Sequence, residues 1–177
     1  MKAANFKAEP MSRKSIRAIV KMIKKKCGLE KVMKIPVCGF FEFIMERFFP
    51  GFEWEIVDEN EMAEEGLTLS ADNTILIRQD VYIKACNGDG RARFTIMHEI
   101  GHFILHGPNR VALCRLALGE RLKKYEDPEW QADNFAAEFL MDSDLVVGMD
   151  FYEISSECGV TYGASQTRIN ILEKELN

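Results

Sequence analysis

The sequence predicts an α+β fold in which a small antiparallel sheet packs beside one histidine-bearing helix, with further helices around both. Three observations carry that expectation. Apolar residues recur at helical spacing through residues 12–50 and again from 128 onward. Short alternating segments bounded by turn formers cluster between residues 52 and 86. The three histidines of the chain, His98, His102 and His106, fall within nine residues at the four-residue repeat of one helical face.

Taken in order, residues 1–11 read as a loose tail. Ser12 or Ser15 caps a helix through "RKSIRAIVKMIKKK", and Gly28 ends it. Ile16, Ile19, Val20 and Ile23 give that helix an apolar stripe for the core, with its lysines left in water. Pro36 breaks the chain before "GFFEFIMERFFPG", a second short helix with Phe40, Ile44 and Phe48 on one face, stopped by Pro50-Gly51. "FEWEIV" alternates apolar and acidic residues as a strand does. "GLTLS" and "TILIR" flank the turn formers "ADN" and read as a hairpin, with "VYIKAC" as one more extended piece.

The glycines of "NGDGR" then make a loop, and a helix from about Arg91 carries the histidines until Gly107-Pro108. A helix through "RVALCRLALGERL" is expected next. In "EDPEWQADNFAAEFLM", Asp127 caps, Pro128 suits the first turn, and Ala132, Phe135, Ala136 and Phe139 form the buried face. "SDLVVGMDFYEIS" and "SQTRINILEKEL" are further helical segments separated by the turn-like "CGVTYG". The expected organisation is one domain over residues 1–177. It comprises N-terminal helices (1–50), the sheet and metal-binding helices (51–141), and a C-terminal helical segment (142–177).

Composition narrows the function. Hydrophobic content of 47% and charge of 29% are those of an ordinary soluble protein, and no apolar run is long enough to span a bilayer. Five scattered cysteines, odd in number and never arranged as CxxC, point to reduced thiols in a cytoplasm. Charge is divided unevenly: residues 1–34 hold eleven Lys/Arg against Glu9 and Glu30, a net +9, and the remainder is −14. The basic helix is therefore a docked surface helix or a patch for an acidic partner, and the acidic body argues against DNA.

The histidine helix carries the chemistry. His98 and His102, one turn apart, suit two positions of a tetrahedral zinc ion. Glu99 lies about a quarter turn round from His98, too far to join the ligands easily but close enough to take a proton from a water attacking a carbonyl. Ile96, Ile100 and Phe103 face the opposite, buried side, and Gly101 marks close approach by another segment. HExxHxxGxxH is absent, since position 105 is Leu and position 108 is Pro, so a third ligand comes from elsewhere. Glu129 and Asp133 share a face of the later helix: Glu129 is the candidate ligand and Asp133 the acceptor for a ligand's free N–H. His106 continues the histidine face as a surface residue, a residue behind the ligands, or a possible substrate contact. For the oxyanion, His106, Tyr162, Arg91 and Arg93 are all candidates.

At these residues the chain resembles a known family. "RARFTIMHEIGHFILH" followed by "EWQADNFAAEFLM" is similar to the ImmA/IrrE zinc metallopeptidases, with an R-x-R-F-T segment leading into HExGH and then E-x-x-A-x-x-F-A-A. The matched blocks cover residues 91–106 and 129–141, and "GVTYGASQTRINIL" weakly resembles a later family segment. Asp142 stands where the family usually has a proline. The resemblance implies a zincin-like fold, Zn2+ as cofactor, and His98, His102 and Glu129 as ligands with Glu99 as general base. It also implies a protein substrate, commonly a helix-turn-helix repressor of a mobile element or stress response. The rival reading is a non-enzymatic regulator on the same scaffold, binding a partner or DNA through a helix-turn-helix outline in "ECGVTYGASQTRINIL" with Gly159 or Gly163 at the turn. Its second helix offers only Arg168 and Lys174 as cations, so direct DNA binding is not expected.

Overall fold

The computed structural model describes residues 6–107, 114–115 and 122–176. Helix α1 (Arg13–Cys27) starts where Ser12 accepts a hydrogen bond from the Ser15 amide at 3.1 Å, and it ends at Gly28, whose φ of 69° is left-handed. Ile16, Val20 and Ile23 are buried as expected. Its cations are not all in water. Lys24 is 1% exposed and donates to Asp142 at 2.7 Å, Arg17 donates to Glu138 and Glu175 at 3.1 and 2.6 Å, and Lys21 donates to Asp144 at 2.5 Å. Three cations of this helix, Arg17, Lys21 and Lys24, are thus matched by acidic side chains of the chain's own later helices and loops.

The second helical stretch is three pieces in succession: α2 (Val37–Gly39), a π-helical turn (Phe40–Ile44) and α3 (Met45–Phe48). In the π turn the Met45 N–H reaches back five residues to the Phe40 carbonyl. That extra residue rotates the face. Phe40, Phe41 and Met45 are fully buried, Ile44 is half-buried and Phe48 is 38% exposed, so the predicted Phe40–Ile44–Phe48 stripe is corrected.

Strands β2 (Glu53–Val57), β3 (Gly66–Leu69) and β4 (Thr74–Arg78) form a sheet in the order β2-β4-β3; β1 is the short Phe6–Lys7 segment below. The β3–β4 hairpin is antiparallel as predicted, pairing Gly66 with Ile77 and Leu69 with Thr74, and Asn73 takes the left-handed turn position at φ 54°. β2 joins β4 in parallel, so the α+β class stands but the sheet is mixed, not wholly antiparallel. Alternation within "FEWEIV" specifies a strand and not its direction. The predicted strand "VYIKAC" is helix α4 (Gln79–Cys86). Val81 and Ala85, four apart, face the core, and Asp80 pairs with Lys84 at 2.8 Å, both marks of helical period.

Helix α5 (Gly90–His106), capped by Asp89, carries the histidines, and α6 (Pro128–Leu140), capped by Asp127, packs across it. Gly101 is the crossing point. A Cβ there would stand 3.2 Å from the Ala132 carbonyl oxygen and 3.1 Å from the Phe135 ring. The buried faces predicted on both helices are buried, including Ile96, Ile100 and Phe103 on α5 and Ala132, Phe135, Ala136 and Phe139 on α6.

The predicted helix at 110–122 lies largely outside the described residues. The described pair Cys114–Arg115 is a strand, β5, antiparallel to β1, so the expected loose tail is held here. Residues 142–150 are turns, not helix. Asp142 organises them, accepting from the Asp144 amide through its side chain and from the Leu145 and Val146 amides through its carbonyl. Helices α7 (Phe151–Cys158) and α8 (Tyr162–Leu176) follow, joined at Gly159 with φ 64°. Among the described residues no helix is long and apolar enough to cross a membrane.

Candidate active site

The helix pair α5–α6 builds the site. His98 and His102 project from one face of α5, and Glu129 stands in the first turn of α6, where the helix N-terminus favours a carboxylate. The three side chains converge. His98 Nε2 lies 3.0 Å from His102 Nε2, and Glu129 Oε2 lies 3.3 Å from the first and 3.6 Å from the second. In a tetrahedral zinc site, donors about 2.0–2.1 Å from the metal stand roughly 3.3–3.4 Å apart, so this triangle has the dimensions of one face of such a site. Among the described residues this is the cluster of His, Cys, Asp and Glu side chains with the compactness to hold a metal ion.

The electrostatics match. Glu129 is held well below the usual carboxylate range by hydrogen bonds with His102 and His98. Burial lowers the proton affinity of His98, but hydrogen bonds with Asp133 and Glu129 outweigh it and raise the pKa to about 10. The site is therefore a trap for positive charge. Asp133 sits where the sequence placed it, with Oδ1 2.8 Å from His98 Nδ1. A carboxylate there accepts the Nδ1 proton, so Nε2 is the nitrogen that would coordinate once a metal displaces its proton.

Glu99 is 8% exposed, on the shoulder of the triangle. Thr68 on β3 donates to its Oε2 at 2.7 Å, with the Glu99 main-chain carbonyl a second acceptor 3.0 Å from the same hydroxyl. Gly66 lets β3 run this close, since a Cβ there would fall 2.7 Å from Glu99 Cγ. The hydrogen bond fixes one carboxylate oxygen. Loss of a hydrogen bond to a charged group is worth about 1.5–3 kcal/mol, so Thr68→Val is expected to lower kcat by about ten- to a hundredfold if that positioning is used in the rate-limiting step. A kcat unchanged in steady-state assays would show that the contact is not used there.

Among the described residues the outer edge of β3, next to this site, has no strand paired to it. β4 is central in the sheet, with both of its edges paired.

Of the alternatives the sequence left open for His106, its position fits the residue behind the ligands. It is 5% exposed, with Nδ1 3.2 Å from His102 Nδ1 and Nε2 2.9 Å from Gln131 Oε1, so it is not on the surface and both ring nitrogens have partners within the chain. Burial lowers its pKa to about 4. Two of the other oxyanion candidates are also engaged: Arg93 is buried and donates to the Ile35 and Cys158 carbonyls, and Arg91 pairs with Glu65 at 3.0 Å. Tyr162 stacks edge-on against Tyr152. Thr68 and Gln131 were missed by sequence reasoning. Neither belongs to a local pattern, and only the tertiary contact of β3 with α5, or of α6 with His106, reveals them.

Residues 55–170, from within β2 to within α8, match the Peptidase_M78 family, described as the IrrE N-terminal-like domain. No curated protein matches the chain.

Proposed function

The chain belongs to the Peptidase_M78 family, and from that premise we propose that it is a zinc-dependent endopeptidase acting in the cytoplasm on a protein substrate. The observation that carries the metal reading is the donor triangle of His98, His102 and Glu129, dimensioned for one face of a tetrahedron. Zinc bound there supplies Lewis acidity to the scissile carbonyl. The chain's own residues do the rest. Glu99, held by Thr68, takes the proton of the attacking water and passes it to the leaving amine. Asp133 holds His98 in its coordinating tautomer.

The substrate approaches as an extended segment. Among the described residues no strand pairs with the outer edge of β3, and its backbone donors and acceptors beside Glu99 suit addition of one more strand. We assign the substrate to the helix-turn-helix repressors on the family likeness. Zinc-loaded protein incubated with repressors encoded near it should yield discrete fragments by mass spectrometry. No cleavage of any such repressor would remove that assignment while leaving the metal site intact.

The metal reading has its own test. One zinc per chain is expected, and the double substitution His98→Ala with His102→Ala should lose most of it, because two of three protein ligands are gone. Full zinc occupancy in that variant, measured by elemental analysis, would overturn the ligand set. The DNA-binding alternative loses its main cation, since Arg168 is 3% exposed and donates to the Met141 carbonyl and to Glu138.

A further inference from the structure

We infer that His106 and Gln131 are positioning residues that set the proton on His102 and so aim its Nε2 lone pair at the metal. The inference rests on the reading of His102 as a ligand, and it follows from counting donors and acceptors along one buried chain. Gln131 is 0% exposed. Its side-chain nitrogen donates to the Glu9 carbonyl at 2.7 Å and to the Tyr125 carbonyl at 2.8 Å. Both of those partners only accept, so both amide protons are used and the orientation of the amide is settled. Gln131 Oε1 therefore faces His106 Nε2 at 2.9 Å as an acceptor, and His106 must carry its proton on Nε2. The other nitrogen of a neutral imidazole is an acceptor. His106 Nδ1 lies 3.2 Å from His102 Nδ1, so His102 must donate there, and its Nε2 is left bare.

The same result follows from the other end. His102 Nε2 lies among the candidate ligand atoms, 3.0 Å from His98 Nε2 and 3.6 Å from Glu129 Oε2. Coordination needs that nitrogen unprotonated, which puts the proton on Nδ1 and requires an acceptor opposite it. Two chains of reasoning, one starting at main-chain carbonyls and one at the metal site, meet at the same tautomer of His106.

The two histidine ligands are thus oriented by different devices. His98 leans on the carboxylate of Asp133, which is largely open to water. His102 leans on a neutral relay closed from solvent and anchored on the carbonyls of Glu9 and Tyr125. The relay therefore ties the metal site to the N-terminal segment and to the turn before α6.

The test reads protons and metal instead of turnover. Two-bond proton–nitrogen correlation NMR on the histidine-labelled protein, metal-free and zinc-loaded, should show neutral His106 with its proton on Nε2 and His102 with its proton on Nδ1. His106→Leu removes the acceptor and is expected to weaken zinc affinity, by competition with a chromophoric chelator, by about 10–100-fold. His106→Gln can accept from His102 and donate to Gln131, and should restore most of that loss. A His106 proton on Nδ1, or His106→Leu binding zinc as tightly as the parent, would overturn the relay. If His106→Leu does not fold, the NMR on the unaltered chain decides. Zinc retained in the double His98→Ala, His102→Ala variant marks the different failure, in which the ligand assignment itself is wrong.

Discussion

Glu99→Gln is expected to abolish measurable peptide hydrolysis while leaving zinc content, fold and melting temperature unchanged. The substitution keeps length and shape, and the amide oxygen can still accept from Thr68 Oγ1, which lies 2.7 Å from the carboxylate in the parent chain. It removes the ability to take a proton. General-base catalysis contributes about 10²–10⁴-fold, so single-turnover cleavage of a confirmed substrate should slow by at least the lower of those factors. The ligand triangle does not include Glu99, so metal should remain at one per chain. Cleavage at the parental rate would show that another group takes the proton. Loss of zinc would show that Glu99 holds the metal and is not the base.

The parts of the site legible in the sequence are those whose geometry is local. His98, Glu99 and His102 lie within one turn and its immediate neighbour, so helical angles alone place two rings together and the carboxylate beside them. Glu129 and Asp133 were legible as a pair on one face, and Gly101 signalled that another element would come close. It takes the tertiary crossing at Gly101 to show that this face meets the histidines.

What the sequence hid depends on neighbours distant along the chain. His106 has the spacing of a third coordinating ring, yet α6 covers it and Gln131 takes its outer nitrogen. Thr68 is an ordinary strand residue until β3 lies on α5. The same limit governs the fold. "VYIKAC" fits alternation and also fits an i, i+4 pair, and only burial of Val81 and Ala85 together selects helix. The π turn at Phe40–Ile44 shifts a face by one residue, which no 3.6-residue template anticipates.

The second large effect lies away from the chemistry, at Glu138. Its carboxylate is 3% exposed and accepts from Arg168 at 2.5 Å, from Arg17 at 3.1 Å, and from the Ser143 amide and hydroxyl at 3.1 and 2.8 Å. It therefore fastens α1, α6 and α8 together. Glu138→Ala leaves the Arg168 guanidinium, 3% exposed, without its counter-charge. Removing one partner of a buried pair costs about 3–5 kcal/mol, a large share of the roughly 5–15 kcal/mol that holds a domain folded. At roughly 2–4 °C per kcal/mol for a chain of this size, the melting temperature should fall by about 6–20 °C. Replacing both partners, Glu138→Leu with Arg168→Met, should recover much of the loss, because the uncompensated charge is then absent.

The pH dependence of stability separates this pair from simple packing. Burial raises the proton affinity of Glu138, but the charge and hydrogen bond of Arg168 and the Ser143 donors outweigh it, so its folded pKa lies below the ordinary value of 4.5. A carboxylate depressed on folding contributes stability that is fully present above its unfolded pKa and is lost as the pH falls through the folded one. The unaltered chain should therefore lose stability on acidification below about pH 4.5 more steeply than the double Glu138→Leu, Arg168→Met variant, whose curve lacks this contribution. Parallel acid limbs for the two proteins in chemical denaturation would mean that the Glu138–Arg168 pair does not couple protonation to folding, and that the loss in Glu138→Ala arises from packing alone.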